Sequence, residues 1–242
     1  MKIITQPLLF LVIIILIQNG FTQTKSNEKT SIQLSSVENL QFVNAKGSII
    51  EYNGESSLRV SSSSEGPAAE DLETLVVIPE IKFSNGIIEV EVSGEPAPGA
   101  SPLARGFVGI AFRVNKGDKY EYECFYIRPL NGRAENQIQR NHSAQYISHP
   151  EHPWHRLRKE FPEMYESYVD LEPGKWTKLK IDVVGTIAKF FVNDSQQPNL
   201  IVKDLKHGES EGAIALWLHS STIAHFRNLV IQPNKFKRDA IK

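Results

Sequence analysis

Residues 176–193 read WTKLKIDVVGTIAKFFVN, and this stretch decides the fold class. Leu179, Ile181 and Val183 alternate with Lys178, Lys180 and Asp182. A period of two marks a strand with one face buried and one wet. A second run, Ala188 to Val192, closes on an Asn193-Asp194 turn, and Leu200 to Val202 follows. Further on, GAIALWLH at 212–219 points Ile214, Leu216 and Leu218 to one side, and His225 to Ile231 reads as a closing strand. In the other direction, Ser48 to Tyr52 and Ser57 to Val60 flank Asn53-Gly54, a strong hairpin signal. Leu75 to Ile78, GIIEVEV at 86–92, Phe107 to Val114, Tyr120 to Arg128 and Gln137 to Arg140 are further strand candidates. His142 to Tyr168 does not alternate, so it reads as a long loop with a helical turn at Trp154 to Lys159. Many short strands with almost no amphipathic helix predict an all-β sandwich or barrel.

The ends of the chain differ from its middle. Lys2, the apolar run Leu8 to Ile17 and the polar exit Gln18 to Gln23 are the three parts of a secretory signal peptide. That apolar run is well short of the roughly twenty residues that span a bilayer. The expected organisation is a signal peptide at 1–22, a flexible leader at 23–31, one β domain at 32–233 and a basic tail at 234–242. The mature protein is then secreted or periplasmic, with no membrane span. Cys124 is the single cysteine, which excludes an intramolecular disulfide, and its strand setting makes it an apolar core residue.

Charge narrows the partners. Lys and Arg number 27 against 28 Asp and Glu, so nothing indicates nucleic acid. Arg and His concentrate in 128–159, while 65–95 is acidic. A local basic patch on a near-neutral protein suits a small anionic ligand, although a solvated loop has the same composition.

The strands carry a resemblance. FSNGIIEVEV, RGFVGIAFRV, YECFYIRP, EPGKWTKLKIDVVGTIAKFFVN and GAIALWLHSSTIAHFRNLVI, in that order, resemble the concanavalin A-like lectin/glucanase superfamily. The likeness is to its laminin-G-like branch, which includes exported bacterial 3-keto-disaccharide hydrolase-like proteins. It covers about residues 80–232 and implies a concanavalin-like jelly-roll β-sandwich of two antiparallel sheets. The segment RNHSAQYISHPEHPWHRLRKEFPEMYESYVDL is similar to oligosaccharide dehydratases or lyases of marine bacteria that digest uronate-containing algal polymers such as ulvan. The E-x-D-x-x-E strand of the superfamily's retaining glucanases is absent, which counts against the two-carboxylate route to glycoside hydrolysis. Gln137-Ile138-Gln139 only partly echoes the Q-I-H strand of jelly-roll alginate lyases.

Strand phase puts Arg113, Tyr122, Tyr126, Arg128, Trp217 and His219 on one side, and the superfamily binds sugars on its concave sheet face. Arg forms bidentate bonds to carboxylate or sulfate, and Trp154 or Trp217 can stack on a pyranose ring. Gln139 and Arg140 complete the expected substrate-binding set. His142, Tyr146 and Tyr126 are the expected proton-transfer residues, with His149, His152 and His155 nearby. β-Elimination from a uronic acid requires such a set. Arg or Gln neutralises the carboxylate, His or Tyr takes the C5 proton, and Tyr or His protonates the leaving oxygen at C4. His149, His152 and His155 have a spacing that suits zinc on a regular helix, but Pro150 and Pro153 break one, so no metal site is expected. The fold's oxygen-rich loops can hold a structural calcium, yet there is no D-x-D-x-D-G loop, and no other cofactor is expected. No G-x-S-x-G elbow or Gly-rich phosphate loop is present.

Three classes stay open at this level. The leading one is an exported carbon–oxygen lyase, of dehydratase or polysaccharide-lyase type, on an acidic oligosaccharide. The others are a non-catalytic carbohydrate-binding module and a glycoside hydrolase of unusual mechanism.

Overall fold

In the computed structural model of the chain, residues 29–64 and 72–234 are described. The signal-peptide reading and nearly all of the basic-tail reading fall outside them. The strands are β1 (Thr30–Ile32), β2 (Gln41–Val43), β3 (Ala45–Tyr52), β4 (Glu55–Ser62), β5 (Thr74–Phe83), β6 (Gly86–Pro96), β7 (Val108–Lys116) and β8 (Tyr120–Ile127). There follow α1 (Gln137–Asn141), β9 (Ala144–His149), α2 (Trp154–Glu160), β10 (Glu166–Ser167), β11 (Thr177–Val184), β12 (Ile187–Val192), β13 (Leu200–Val202), β14 (Gly212–Leu218) and β15 (Thr222–Pro233). They form two antiparallel sheets. One runs β13-β12-β11-β6-β15-β4-β3, with β1 added to β15, and the other runs β10-β9-β8-β7-β14-β5-β2. This is the predicted two-sheet sandwich. Among the described residues, no helix is long and apolar enough to cross a membrane.

Alternation places the core. In β11, Leu179, Ile181 and Val183 are buried, and they pair with Val192, Phe190 and Ala188 of β12. The sheets meet through rings: Phe125 of β8 lies 5.1 Å from Phe190 of β12 and 6.3 Å from Phe112 of β7. Each such side chain contributes about 1.5–3 kcal/mol by leaving water. The β3–β4 hairpin turns on Asn53-Gly54, both at positive φ, as a type I′ turn requires.

Three local expectations are corrected. Gln137 to Arg140 is helical, not extended, because the Asn136 side chain accepts from the Gln139 N–H and caps a short helix. The segment read as a loop from His142 contains β9, which pairs along β8 from Ile127 to Tyr122, as well as the expected helical turn α2. Thr30 and Ser31, assigned to a flexible leader, belong to β1 and pair with Ile231 and Val230.

Candidate functional site

The outer face of the second sheet collects polar and aromatic side chains. On β8, Phe125 faces the other sheet with Glu123 and Ile127 in phase, and Tyr122, Cys124 and Tyr126 take the opposite face, where all three are nonetheless buried. Trp217 of β14 and Tyr126 stack with centroids 4.6 Å apart. Gly109 makes this stacking feasible. It pairs with both residues from the strand between them, and a Cβ there would stand 2.2 Å from the Phe125 carbonyl oxygen. The Trp217 Nε1–H donates to the Tyr122 hydroxyl at 3.3 Å, and Tyr122 stacks on His149 at 4.9 Å. Burial raises the pKa of both phenols, that of Tyr126 to about 12, so both keep their protons.

At one end of this face, His149 Nε2 meets Glu73 Oε1. Glu73 sits just before β5, and the two side chains stay partly exposed, at 25% for His149 and 21% for Glu73. Burial pushes the Glu73 carboxyl up to about 7, opposed by the Lys119 charge. Burial, Lys119 and His207 push His149 down to about 4. Near neutrality His149 is therefore uncharged and Glu73 lies at the middle of its titration. Nε2 faces Glu73, and a neutral imidazole that carried its proton there would have its lone pair on Nδ1. His207 donates through Nε2–H to the His149 carbonyl oxygen at 2.7 Å, and its backbone N–H donates to Glu123 at 2.9 Å.

At the other end, Arg128 is locked among four acceptors. Its Nη1 donates to the His142 carbonyl at 2.8 Å and to Glu166 at 3.2 Å, and its Nη2 to Tyr126 Oη at 2.9 Å and Gln145 at 3.0 Å. Arg158 of α2 chelates the same Glu166 through Nε and Nη2. Burial alone would raise Glu166, but the Arg158 hydrogen bond and the two guanidinium charges hold its carboxyl below the usual range. His142 Nε2 stands 3.6 Å from Glu166, and burial lowers its pKa, with both arginines acting in the same direction. Trp154 is 44% exposed and lies over Arg158 at 4.7 Å.

Seven of the expected site residues thus gather on this face or its rim: Tyr122, Tyr126, Arg128, His142, Trp154, Trp217 and His219. His219 lies 5.1 Å from Phe107, itself 6.3 Å from Tyr126. Two others do not belong there. Arg113 was placed beside Tyr122 by strand phase, but the β7–β8 register slips between Phe112 and Asn115, and Arg113 takes φ 55°. Its guanidinium donates to the carbonyls of Ser84, Gly185 and Gly208 at 2.6–3.0 Å, which ties three loops together. Tyr146 points inward from β9, is fully buried, and donates to Glu123 at 2.6 Å. Its pKa rises from burial and from the Glu123 charge, so it is a core hydrogen-bond donor. Gln139 and Arg140 hold the flanking loop, through Asn131 at 3.1 Å and the Tyr168 hydroxyl at 2.9 Å. The sequence reading missed Glu73, Glu166 and Gln145. Each is one residue among many of its type, and its partner lies far along the chain. No cluster of three or more metal-ligating side chains occurs among the described residues.

The two-sheet sandwich itself is shared with several solved proteins. CBM66, a carbohydrate-binding module from Bacillus subtilis, matches at 15% identity over 80% of this chain and 95% of its own, with a TM-score of 0.51. A Bacillus subtilis protein of unknown function with a galectin-like fold matches at 14% over 84% and 94%, TM-score 0.52. An endo-β-1,4-glucuronan lyase from Trichoderma reesei matches at 8% over 86% and 95%, TM-score 0.51. These likenesses establish the fold. No curated protein matches the chain by sequence. The chain belongs to the family described as 3-keto-alpha-glucoside-1,2-lyase-like domain, whose model matches residues 19–232. It is thus a carbohydrate-active sandwich domain.

Proposed function

We propose that the protein is an exported carbon–oxygen lyase that acts by β-elimination on uronic-acid-containing oligosaccharides, such as those from ulvan. The observation that carries this reading is the Glu73–His149 pair, a partly exposed acid–base couple poised near neutrality. A general base works best when its pKa lies near the operating pH. In the proposed step, the pair takes the C5 proton and those C–H electrons form the C4–C5 double bond. The C4–O bond breaks, and the departing oxygen receives a proton. Lys119, which exerts its charge on both members of the pair, supports the acidic substrate, because a cation there offsets the carboxylate as C5 loses its proton. No redox cofactor enters this balance.

The family description favours a second substrate for the same chemistry. In a 3-keto glycoside the ketone acidifies C2–H and the oxygen on C1 departs. The internal engagement of Arg113 and Arg128 also fits a substrate without a carboxylate. Incubation with uronate oligosaccharides and with 3-keto glucosides, followed by mass analysis, separates the readings. A dehydratase leaves the substrate less one water, a lyase leaves fragments that sum to the substrate, and a hydrolase leaves fragments that sum to substrate plus water. Turnover of the 3-keto glucosides alone would transfer the elimination to that substrate. Saturable binding with no product in any arm would leave a binding module.

A further inference from the structure

We propose that Trp154, Arg158 and His142 form a subsite for a sugar unit that carries a carboxylate or sulfate, remote from the Glu73–His149 pair. The inference rests on the proposed action on acidic oligosaccharides and adds where a second unit of the chain is held.

Trp154 opens α2 and is the exposed indole of this region, at 44%. It lies 4.7 Å from the Arg158 guanidinium and 6.0 Å from that of Arg128. A flat apolar surface held by cations and partly open to water suits the C–H face of a pyranose. Charge beneath it is unbalanced, because two guanidiniums share the single buried carboxylate of Glu166. Glu163, exposed in the turn after α2, is the other carboxylate that acts on His142. Arg128 is buried with both Nη nitrogens engaged, so it fixes the cluster and does not meet a ligand. Arg158 is one-third exposed, at 33%, and uses Nε and Nη2 on Glu166, which leaves Nη1 as a donor for an anionic substituent. His142, 19% exposed beside it, adds a ring nitrogen for hydrogen bonding.

The separation of the two clusters sets the ligand's size. On β8 and its extension, Tyr122 marks the Glu73–His149 end and Arg128 the other. Six residues at about 3.3 Å each put their Cα atoms about 20 Å apart, and the Arg128 guanidinium turns back to the Tyr126 hydroxyl, so the side-chain clusters lie closer than that. A ligand that touches both clusters is an oligosaccharide, and contacts at Trp154 then supply binding energy at a distance from the bond that breaks.

The test is calorimetric titration of the Glu73→Gln protein, which holds substrate unturned over if the elimination reading is correct. The probes are a uronate tetrasaccharide, its carboxyl-reduced form, a sulfated carboxyl-reduced form and the uronate disaccharide. Trp154→Ala is expected to weaken the uronate tetrasaccharide about tenfold, the scale of one lost stacking contact. It should leave the disaccharide unchanged, with the thermal midpoint retained. Arg158→Gln should weaken the anionic tetrasaccharides and spare the reduced, unsulfated one. The reduced and sulfated arms show which anion is preferred. Equal affinities for charged and neutral tetrasaccharides, or no effect of Trp154→Ala on any probe, would overturn the subsite. Turnover of uronate oligosaccharides by the native chain is scored separately. A subsite failure with intact turnover condemns this inference alone, and intact binding with no turnover condemns the elimination reading alone.

Discussion

Glu73 and His149 come from positions 76 residues apart in the chain, and their shared, partly buried setting moves the two pKa values in opposite directions, Glu73 upward and His149 downward. If the pair acts as base, Glu73→Gln and His149→Gln each lower kcat by about 10²–10⁴, the usual loss for a proton-transfer group. In the native chain, kcat/KM should rise with pH through about 7 as Glu73 ionises. A flat profile from pH 5 to 9, or near-native kcat in both variants, would remove the pair from the mechanism. Arg113 belongs to the opposite kind of residue. Its removal leaves three loop carbonyls without their donor, so Arg113→Met is expected to cost about 3 kcal/mol or more in denaturant unfolding. The activity of the folded fraction should be unchanged. A selective loss of substrate affinity without loss of stability would return Arg113 to the site.

At the scale of elements, α2 carries Trp154 and Arg158 over the sheet and is anchored by Leu157, which is fully buried. Leu157→Ala is expected to cost about 2–4 kcal/mol, measured by urea unfolding. A cost near zero would mean that α2 is not held by that contact. The regular strands were legible because alternation is a local signal: β11, β12 and β14 lie where the pattern puts them. The β7 bulge was not, because one extra residue reverses the side on which Arg113 emerges, and nothing in GFVGIAFRV marks the slip. Nor was β9 legible in AQYISH, since the strand is short and the residues after it, rich in His and Pro, obscure the alternation. Helix α1 shows the same limit, because five residues capped by Asn136 carry too little periodicity to be told from an extended segment. The aromatic face itself was readable, since Tyr122, Tyr126 and Trp217 follow strand phase. The ion pairs over it were not, because Glu73 and Glu166 meet their partners only through tertiary contact.

For the whole molecule, three partly or fully buried groups tie stability to pH in opposite directions. Glu73 titrates near 7 in the fold against an ordinary 4.5, so its contribution is full below 4.5 and is lost as pH rises through 7. His149 and His225 titrate near 4 against an ordinary 6.5, so theirs is full above 6.5 and is lost as pH falls through 4. His225, stacked on Tyr52 at 3.6 Å, lies on the other sheet, far in the fold from the proposed site. His225→Gln is therefore expected to flatten the loss of unfolding free energy between pH 6.5 and 4 without altering the pH profile of turnover. Its contribution is on the order of 3 kcal/mol for a shift of this size. An unchanged slope would mean that His225 is protonated in the folded state. The central claim, that this sandwich breaks a carbon–oxygen bond by elimination and not by hydrolysis, is tested most directly by mass analysis of uronate oligosaccharides incubated with the purified full chain. Elimination yields an unsaturated product with no added water, and that product is lost in Glu73→Gln. Fragments whose masses sum to substrate plus water would contradict it.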